Sequence, residues 1–207
     1  MTALLDNDIL FKFAALDLLD SFPEILGVDL SSIHVLDSIS YYPLKSPKVE
    51  ENFGEATVDR TLTFAEDLSK LGKQDVPDDP YDELINEEGI DVGEAILFAA
   101  ATQHDPVRVI TGDKNSLRAL HNSDCGGVID EMEGCVVCFE HLMLQTIFVV
   151  DYTVLCKHVA SAPRIDGVTN DMAFTAGADT PIERARGAFR SKRNSLMKET
   201  GPLLAEV

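Results

Sequence analysis

Cations and cysteines are scarce in this sequence, and each shortage excludes a class of protein. The 207 residues include 17 Lys and Arg against 36 Asp and Glu, which gives a formal net charge of −19. A broad basic face for nucleic acid is therefore excluded, since Lys and Arg supply most of the affinity for phosphates. Four cysteines are too few for a disulfide framework and fit a reducing compartment.

Long apolar runs are also missing. The longest, from Leu142 to Val150, contains Gln145 and Thr146 and falls far short of the roughly 20 residues that a membrane-spanning helix needs. The opening MTALLDNDIL carries no basic segment of the kind that begins a secretory signal. We therefore expect a cytoplasmic protein without a membrane span.

The composition is that of a globular protein, with 45% hydrophobic and 26% charged residues. The length predicts one domain with an elaboration. We assign residues 1–160 to an α/β domain with an acidic helical insertion at about 45–90, and residues 161–207 to a loop and a basic C-terminal helix. Residues 50–94 hold 15 acids and 3 bases, a net charge of −12, which we interpret as solvated surface.

Apolar periodicity predicts the secondary structure of the first 90 residues. A strand at Ala3–Leu5 precedes a helix that Pro23 stops. The predicted elements that follow are a helix from Ser31 or Ser32 to Pro43, a helix at Thr57–Leu71 and a proline-rich loop at Val76–Tyr81.

The clearest pattern begins at residue 91. A helix with apolar side chains starts at Asp91–Glu94, a β-branched strand follows at Val107–Ile110, and another helix opens at Thr111–Lys114. After them we predict a strand at Cys135–Phe139, one long buried helix at Glu140–Val159, a loop at 161–180 and a last helix at Pro181–Thr200. The alternation predicts a three-layer α/β/α fold with a central parallel sheet of about four or five strands and a helical C-terminal extension.

Acidic side chains stand where the predicted strands end. Asp6 follows the first strand and Asp113 follows the strand at Val107–Ile110, and ligands of parallel α/β sheets bind outside these ends. Glu94, near the start of the preceding helix, is a third candidate, and Asp37, within the second helix, is a fourth. Converging carboxylates repel one another unless a cation lies among them, and Mg²⁺ or Mn²⁺ prefers such oxygen ligands. Taken singly, each acid fits helix capping or solvated surface as well.

Four segments resemble, in the same order, the PIN-domain family of metal-dependent nucleases: ALLDNDIL, SSIHVLDSI, DVGEAILFAAA and VITGDKNSL. The resemblance covers roughly residues 2–120 and the strand and helix after them. It implies an endoribonuclease with Mg²⁺ or Mn²⁺ as cofactor. The catalytic, metal-binding acids that it implies are Asp6, Asp37, Glu94 and Asp113.

The chain departs from the family pattern at two positions. Asp8 stands where the family usually has asparagine, and the resemblance leaves it as a supporting acid. Asp37 stands where the family usually has glutamate, which is one methylene longer. For the third acid, Asp91 competes with Glu94.

The resemblance also implies a mechanism and partners. A bound divalent ion lowers the pKa of a water molecule and stabilises charge on the leaving oxygen. Thr111 is expected to hold a metal-bound water or a phosphate, and Lys114 to meet a phosphate oxygen, although an ordinary strand-end threonine and a surface lysine fit equally well. RNA is the expected substrate. A protein partner such as an antitoxin, and a homodimer, are left open.

Two other functions fit parts of the sequence. Asp6-Asn7-Asp8 resembles the Asp-x-Asp opening of haloacid-dehalogenase-like phosphatases, in which the first Asp is the nucleophile and the second a general acid and base. Thr111 and the segment 165–171 resemble later motifs of those phosphatases, although the first glycine of the late motif is missing. A PIN-like fold whose acids do not converge would instead be a non-catalytic interaction module.

Two smaller clusters complete the candidate sites. The basic residues of the last helix, which fit an RNA backbone, the protein's own acidic body or an acidic partner, are Arg184, Arg186, Arg190, Lys192 and Arg193. The candidates for a zinc site are Cys125, Cys135, Cys138 and His141. Residues i and i+3 of a strand face opposite sides, so Cys135 and Cys138 fit core cysteines better.

Overall fold

A computed structural model describes residues 1–42, 47–162 and 164–206. Its centre is one sheet of five parallel strands: β1 (Thr2–Leu5), β2 (Ile33–Leu36), β3 (Ser69–Leu71), β4 (Val107–Thr111) and β5 (Val136–Cys138). The strand order is β3-β2-β1-β4-β5, so β1 lies in the middle, between β2 and β4. Helices flank the sheet, which confirms the predicted three-layer α/β/α class.

Side chains of the strands alternate between two cores, one on each face of the sheet. In β1, Ala3 and Leu5 pack into one core and Leu4 into the other. In β4, Ile110 belongs to the first core and Val109 to the second. Strands buried on both faces require nearly continuous apolar sequence, which these segments supply. The register pairs Leu5 with Ile110, so β1 and β4 end together at one edge of the sheet.

The described residues form eleven α-helices around the sheet: α1 (Asn7–Ala15), α2 (Phe22–Leu26), α3 (Pro47–Phe53), α4 (Glu55–Glu66), α5 (Asp78–Leu84), α6 (Val92–Ala101), α7 (Lys114–Asn122), α8 (Gly126–Glu131), α9 (Phe139–Val149), α10 (Tyr152–Ser161) and α11 (Ile182–Glu199). α1, α9 and α11 supply the first core, where Phe13 and Phe189 are fully buried. α6 supplies the second through Leu97 and Phe98. None of these described helices is long and apolar enough to cross a bilayer.

The segment predicted as a helix from residue 31 contains strand β2 instead. Ile33 and Val35 are fully buried and pair with β1 on one side, while β3 pairs on the other. β-branched residues at alternating positions favour a strand once partner strands are available, and tertiary contacts override the helical spacing. A 3₁₀ helix at Asp37–Ser40 follows, so Asp37 comes directly after a strand, as the first residue of a short 3₁₀ helix, rather than in the middle of an α-helix. The predicted end at Pro43 lies outside the described residues.

Two prolines that predict chain breaks lie in the first turns of helices. Pro23 is the second residue of α2, and Pro80 is the third residue of α5, in a segment predicted as a loop. Proline is tolerated there because the backbone N–H it lacks would have no partner within the helix. α1 ends earlier, at Ala15, and Asp17 just beyond it takes a left-handed conformation with a φ of 56°.

Two long predicted helices are shorter in the structure. The helix predicted through Leu71 ends at Glu66, and β3 follows it and pairs with β2 at the sheet edge. A three-residue edge strand carries little periodic signal, which explains the wrong prediction. The helix predicted at Glu140–Val159 is divided into α9 and α10, because Asp151 accepts hydrogen bonds from the first backbone N–H groups of α10.

Except for α8 (Gly126–Glu131), which the sequence did not predict, the remaining elements after residue 90 confirm their predictions with small shifts at the ends. α6, β4 and α7 follow in the predicted order, and Asp113 caps α7. α11 occupies nearly the whole of the range predicted for the last helix. The predicted loop at 161–180 includes one π-helical turn, Thr169–Ala173, and one 3₁₀ turn, Gly177–Asp179.

The C-terminal segment packs against the edge strand β5. Leu204 forms a parallel bridge with Val136, and the Ala205 N–H donates to the Val136 carbonyl over 2.8 Å. The Gly134 N–H donates to the carbonyl of Pro202 over the same distance. These backbone contacts tie the last residues to the sheet. The division at residue 160 stays a prediction.

Candidate functional site

A cavity of about 320 Å³ opens where the sheet's strands end. The residues that line it are Asp6, Asn7, Asp8, Leu36, Ser38, Tyr42, Asp91, Gly93, Glu94, Gly112 and Asp113. Five of them are acids, and they come from three segments: the β1–α1 junction, the start of α6 and the β4–α7 junction. The structure thus brings together three of the four predicted catalytic acids and both of the supporting ones.

Asp6 stands at the end of β1, in the middle of the sheet. Its backbone N–H donates to the Ile110 carbonyl over 2.9 Å, which extends the pairing between β1 and β4. Burial, and after it the negative charge of Asp8, raises the pKa of the Asp6 carboxyl to about 7. The charge of Lys12 opposes this shift without cancelling it, so the Asp6 carboxyl is partly protonated near neutral pH.

Glu94 and Asp91 hold each other at the start of α6. The Glu94 N–H donates to Asp91 Oδ1 and the Asp91 N–H donates to Glu94 Oε2, each over 2.8 Å, which is a reciprocal capping box. Burial raises the pKa of Glu94 to about 7, and the charges of Asp91 and Asp113 add to the shift. The competing candidates for the third acid are therefore both in the cavity, linked through the backbone.

Thr111 joins the two strand-end acids instead of facing solvent. Its hydroxyl donates to Asp6 Oδ2 over 3.3 Å and accepts the Asp113 backbone N–H over 3.1 Å. Asp113 Oδ1 accepts from the N–H groups of Asn115 and Ser116, so this carboxylate is a helix cap as well as a cavity acid. The structure therefore confirms the helix-capping interpretation of Asp113 and also places its side chain in the cavity lining.

Lys12 is a cation next to the cavity that the sequence analysis missed. Its ammonium lies 2.6 Å from Asp8 Oδ2, one helical turn away. Burial alone would lower the pKa of Lys12, but attraction to Asp8 and the hydrogen bond between them outweigh it and raise the pKa. A Cβ at Gly112 would come within 3.1 Å of both charged atoms, so glycine fits the close passage of the loop. The i,i+4 spacing of Asp8 and Lys12 is the signal that could have found this pair.

Asn7 and Ser38 are further residues that the sequence analysis missed. Asn7 is 3% exposed, and its Nδ2 donates to Ser38 Oγ over 2.9 Å, which connects the ends of β1 and β2. Among the described residues, the buried Oδ1 of Asn7 has no hydrogen-bond partner. Tyr42 lines the rim, and burial together with the nearby charges of Asp6 and Asp8 raises the pKa of its phenol.

The structure does not bring Asp37 into this cavity. Asp37 Oδ2 lies 2.7 Å from the point that a Cβ of Gly72 would occupy, beyond the end of β3. Because Asp37 follows a strand, its neighbours Leu36 and Ser38 line the cavity while its own carboxylate faces the adjacent loop. The helical placement on which its predicted role depended is wrong.

Lys114 lies just outside the cavity lining. Its ammonium forms an ion pair with Glu140, which is 1% exposed and stands in the first turn of α9. One oxygen of Glu140 has no partner among the described residues. Lys114 is thus held at the carboxyl edge of the sheet by a buried carboxylate.

The cysteines lie apart from one another. Cys138 Sγ is 3.1 Å from His141 Nδ1, both buried, whereas Cys125 contacts Glu87 and Cys135 contacts backbone carbonyls. Burial raises the pKa of the Cys138 thiol to about 12, which favours an inert core cysteine.

The ligand atoms that the cavity side chains offer determine which type of metal ion fits. Within residues 1–42, 47–162 and 164–206, no three Asp, Glu, His or Cys side chains form a ready-made metal site. The five acids of the cavity and Asn7 offer oxygen donors, the set that Mg²⁺ and Mn²⁺ prefer, without sulfur or imidazole. Two carboxylates with raised pKa values are also what a cation would neutralise. The donor set fits a hard divalent ion.

Comparisons with known proteins found no match from which a function could be inferred. The chain matches no protein-family model, no curated protein and no solved structure. The geometry of the cavity therefore carries the functional argument.

Proposed function

We propose that this protein is a PIN-like, divalent-metal-dependent endoribonuclease that hydrolyses phosphodiester bonds at the acidic cavity. The observation that carries the proposal is the convergence of Asp6, Glu94 and Asp113 from three separate segments on one cavity at the carboxyl edge of a parallel sheet. Ligands of such sheets bind at this edge. The resemblance of the same segments to PIN nucleases, in the same order, supports the assignment.

The proposal gives each acid a role. Asp6, Glu94 and Asp113 would hold Mg²⁺ or Mn²⁺, and Asp8 and Asp91 would support them from the same cavity wall. When bound, such an ion activates a water molecule and stabilises charge on a leaving oxygen. Because the carboxylates must be deprotonated to bind it, metal affinity rises as pH passes the raised pKa values near 7. Asp37 is not part of the proposed set.

The test compares two aspartates with the same capping geometry. Asp113 and Asp151 each accept hydrogen bonds from the backbone N–H groups two and three residues ahead, but Asp151 is not among the residues that line the cavity. Asparagine retains the cap in both, so the folds should persist. We expect Asp113→Asn to lower Mn²⁺-dependent cleavage of single-stranded RNA by about 100-fold or more, and Asp151→Asn to leave it unchanged. Equal cleavage by both variants would contradict the proposal.

A haloacid-dehalogenase-like phosphatase is the second candidate. Asp166, in the segment 165–171, contributes to the raised pKa of Lys12 after the larger effects of burial and of Asp8, so this segment approaches the cavity side of α1. In that mechanism an Asp6 oxygen would attack the phosphorus and displace the alcohol, which takes a proton from Asp8, and water would then hydrolyse the aspartyl phosphate. Hydrolysis of p-nitrophenyl phosphate by the wild-type protein but not by Asp8→Asn would favour it over the ribonuclease.

A protein with neither activity would fit the third possibility, a non-catalytic interaction module. If the purified protein hydrolyses neither RNA with Mn²⁺ or Mg²⁺ nor a phosphomonoester, the enzyme proposal is wrong and an interaction module is favoured. A protein partner such as an antitoxin, and a homodimer, are still predictions in that case.

A further inference from the structure

An aromatic side chain stands on the surface where α9 meets α11, away from the acidic cavity. Phe148, near the end of α9, is 67% exposed. The guanidinium of Arg186 on α11 lies 4.7 Å from the centroid of its ring. The cation covers one face of the ring, so the other face is open to a further planar group.

α9 and α11 run antiparallel, which places the rest of the basic helix. At one end Arg186 covers Phe148. At the other end burial, and after it the charge of Arg193, lowers the pKa of His141 in the first turn of α9 to about 4, so Arg193 lies near that turn. The first turn of α9 also holds Glu140, the ion-pair partner of Lys114. The helix therefore leads from the exposed aromatic ring towards the carboxyl edge of the sheet.

Three arginines form one stripe along this path. Arg186, Arg190 and Arg193 stand at positions i, i+4 and i+7 of α11 and so share a face. With a rise of about 1.5 Å per residue, the stripe is about 10 Å long. Arg186 forms an ion pair with Glu183 over 3.1 Å, whereas Arg190 is exposed and forms no ion pair with any described residue. The stripe is thus a local concentration of cations on a protein of net charge −19.

We infer that Phe148 and the arginine stripe bind single-stranded nucleic acid, with a base stacked on the open part of the Phe148 ring and phosphates on the arginines. Cations that follow a backbone, combined with an aromatic ring for a base, are the two elements by which proteins bind single strands. A duplex keeps its bases stacked within the helix and offers none to the ring. An acidic peptide would satisfy the arginines but leaves the exposed ring without a specific role. That the single strand is RNA rather than DNA rests on the proposed ribonuclease function.

Binding of oligouridylate to the full chain, measured by fluorescence anisotropy in EDTA, tests this surface without cleavage. We expect Phe148→Ala to weaken binding by about five-fold or more, because the base loses its stacking partner. The salt dependence should be unchanged, since no contact with a phosphate is removed. Phe148→Tyr should retain binding. Arg190→Ala should reduce the slope of log affinity against log salt concentration by about 0.7, the value for one phosphate contact on a single strand.

A matched control lies at the opposite edge of the sheet. Lys73, next to β3, pairs with Asp78 and lies over the ring of Tyr81. Lys73→Ala changes the net charge as Arg190→Ala does, and should leave both the affinity and the salt slope unchanged. Equal affinity of the wild type and Phe148→Ala, or equal affinity for a duplex of the same length, would overturn the inference. So would a change from dimer to monomer in Phe148→Ala without a change in oligouridylate binding, since the face would then join two copies of the chain.

The two proposals fail separately. Binding that depends on Phe148, without cleavage when Mn²⁺ is added, would contradict the ribonuclease proposal alone. Cleavage that depends on Asp113 but is indifferent to Phe148 and Arg190 would contradict the nucleic-acid surface alone.

Discussion

At the scale of single residues, the cavity is characterised by five acids, of which Asp8 forms an ion pair with the neighbouring Lys12. Asp6 and Glu94 both have pKa values raised to about 7, chiefly by burial. Lys12 is engaged by Asp8, and the buried Oδ1 of Asn7 has no partner among the described residues. Groups in this state destabilise the folded chain unless a ligand binds them, which is typical of functional sites.

The raised pKa values predict how stability depends on pH. A carboxyl whose pKa is higher in the folded than in the unfolded chain stabilises the fold below the unfolded value, and this contribution disappears as pH rises through about 7. Asp6→Asn should therefore gain stability relative to the wild type between pH 5 and pH 8, by about 1–2 kcal/mol, because the cavity is partly solvated. Urea unfolding in EDTA measures the difference.

Two further measurements complete this test. Asp20→Asn, an exposed acid outside the cavity, should show no such change with pH. Mn²⁺ should stabilise the wild type more at pH 8 than at pH 5, since only deprotonated carboxylates bind the ion. A stability difference between Asp6→Asn and the wild type that is constant from pH 5 to pH 8 would contradict the assigned pKa.

At the scale of elements, helix starts provide most of the cavity acids. Asp91 and Glu94 form the capping box of α6, and Asp113 caps α7. The positive end of a helix dipole favours negative charge at these positions, so capping and cation binding draw on the same residue types. This dual use explains why single acids in the sequence were ambiguous.

Substitutions at Asp91 separate its structural from its electrostatic role. Asp91→Ala should lower the free energy of unfolding by about 1 kcal/mol, because the Glu94 N–H loses its acceptor. Asp91→Asn retains the acceptor and should lower the free energy of unfolding by at most a few tenths of a kcal/mol. Both variants remove a charge that raises the pKa of Glu94 and should lower that pKa equally, as measured by NMR titration. Equal stability of the two variants would show that the cap contributes nothing.

At the scale of the whole molecule, sheet order decides which segments meet. β1 lies next to β4, so two acids separated by more than 100 residues reach one cavity, and Thr111 connects to Asp6 directly. The C-terminal residues Leu204 and Ala205 pair with β5, the edge strand next to β4. The basic helix α11, which precedes these residues, is therefore tied to the sheet beyond its C-terminal end.

The C-terminal contacts predict that the chain unfolds as one unit. Leu203 is fully buried, and Leu203→Ala should destabilise the protein by about 2–5 kcal/mol in a single cooperative transition. Val92→Ala, at a side chain that is 56% exposed, should change stability by less than about 0.5 kcal/mol. A separate early transition for the segment after residue 160 would instead support an independent C-terminal unit.

Much of the fold and part of the site could be predicted because they depend on local patterns. The run from α6 to α7 has clear caps, an apolar helix and a β-branched strand, and each was found close to its position. β2 and β3 were missed, since short strands gain their hydrogen bonds from partners distant in the sequence. Asp37 was misplaced for the same reason.

The sequence by itself determined the α/β alternation, the acids at the ends of β1 and β4, and the local excess of cations over acids in the last helix. Each follows from local chemistry: apolar periodicity, capping preference and charge. Only the tertiary structure decided that Asp37 faces away, that Asn7 lines the cavity with Lys12 beside it, and that Phe148 meets Arg186. These contacts depend on strand order and helix packing, which no local pattern specifies.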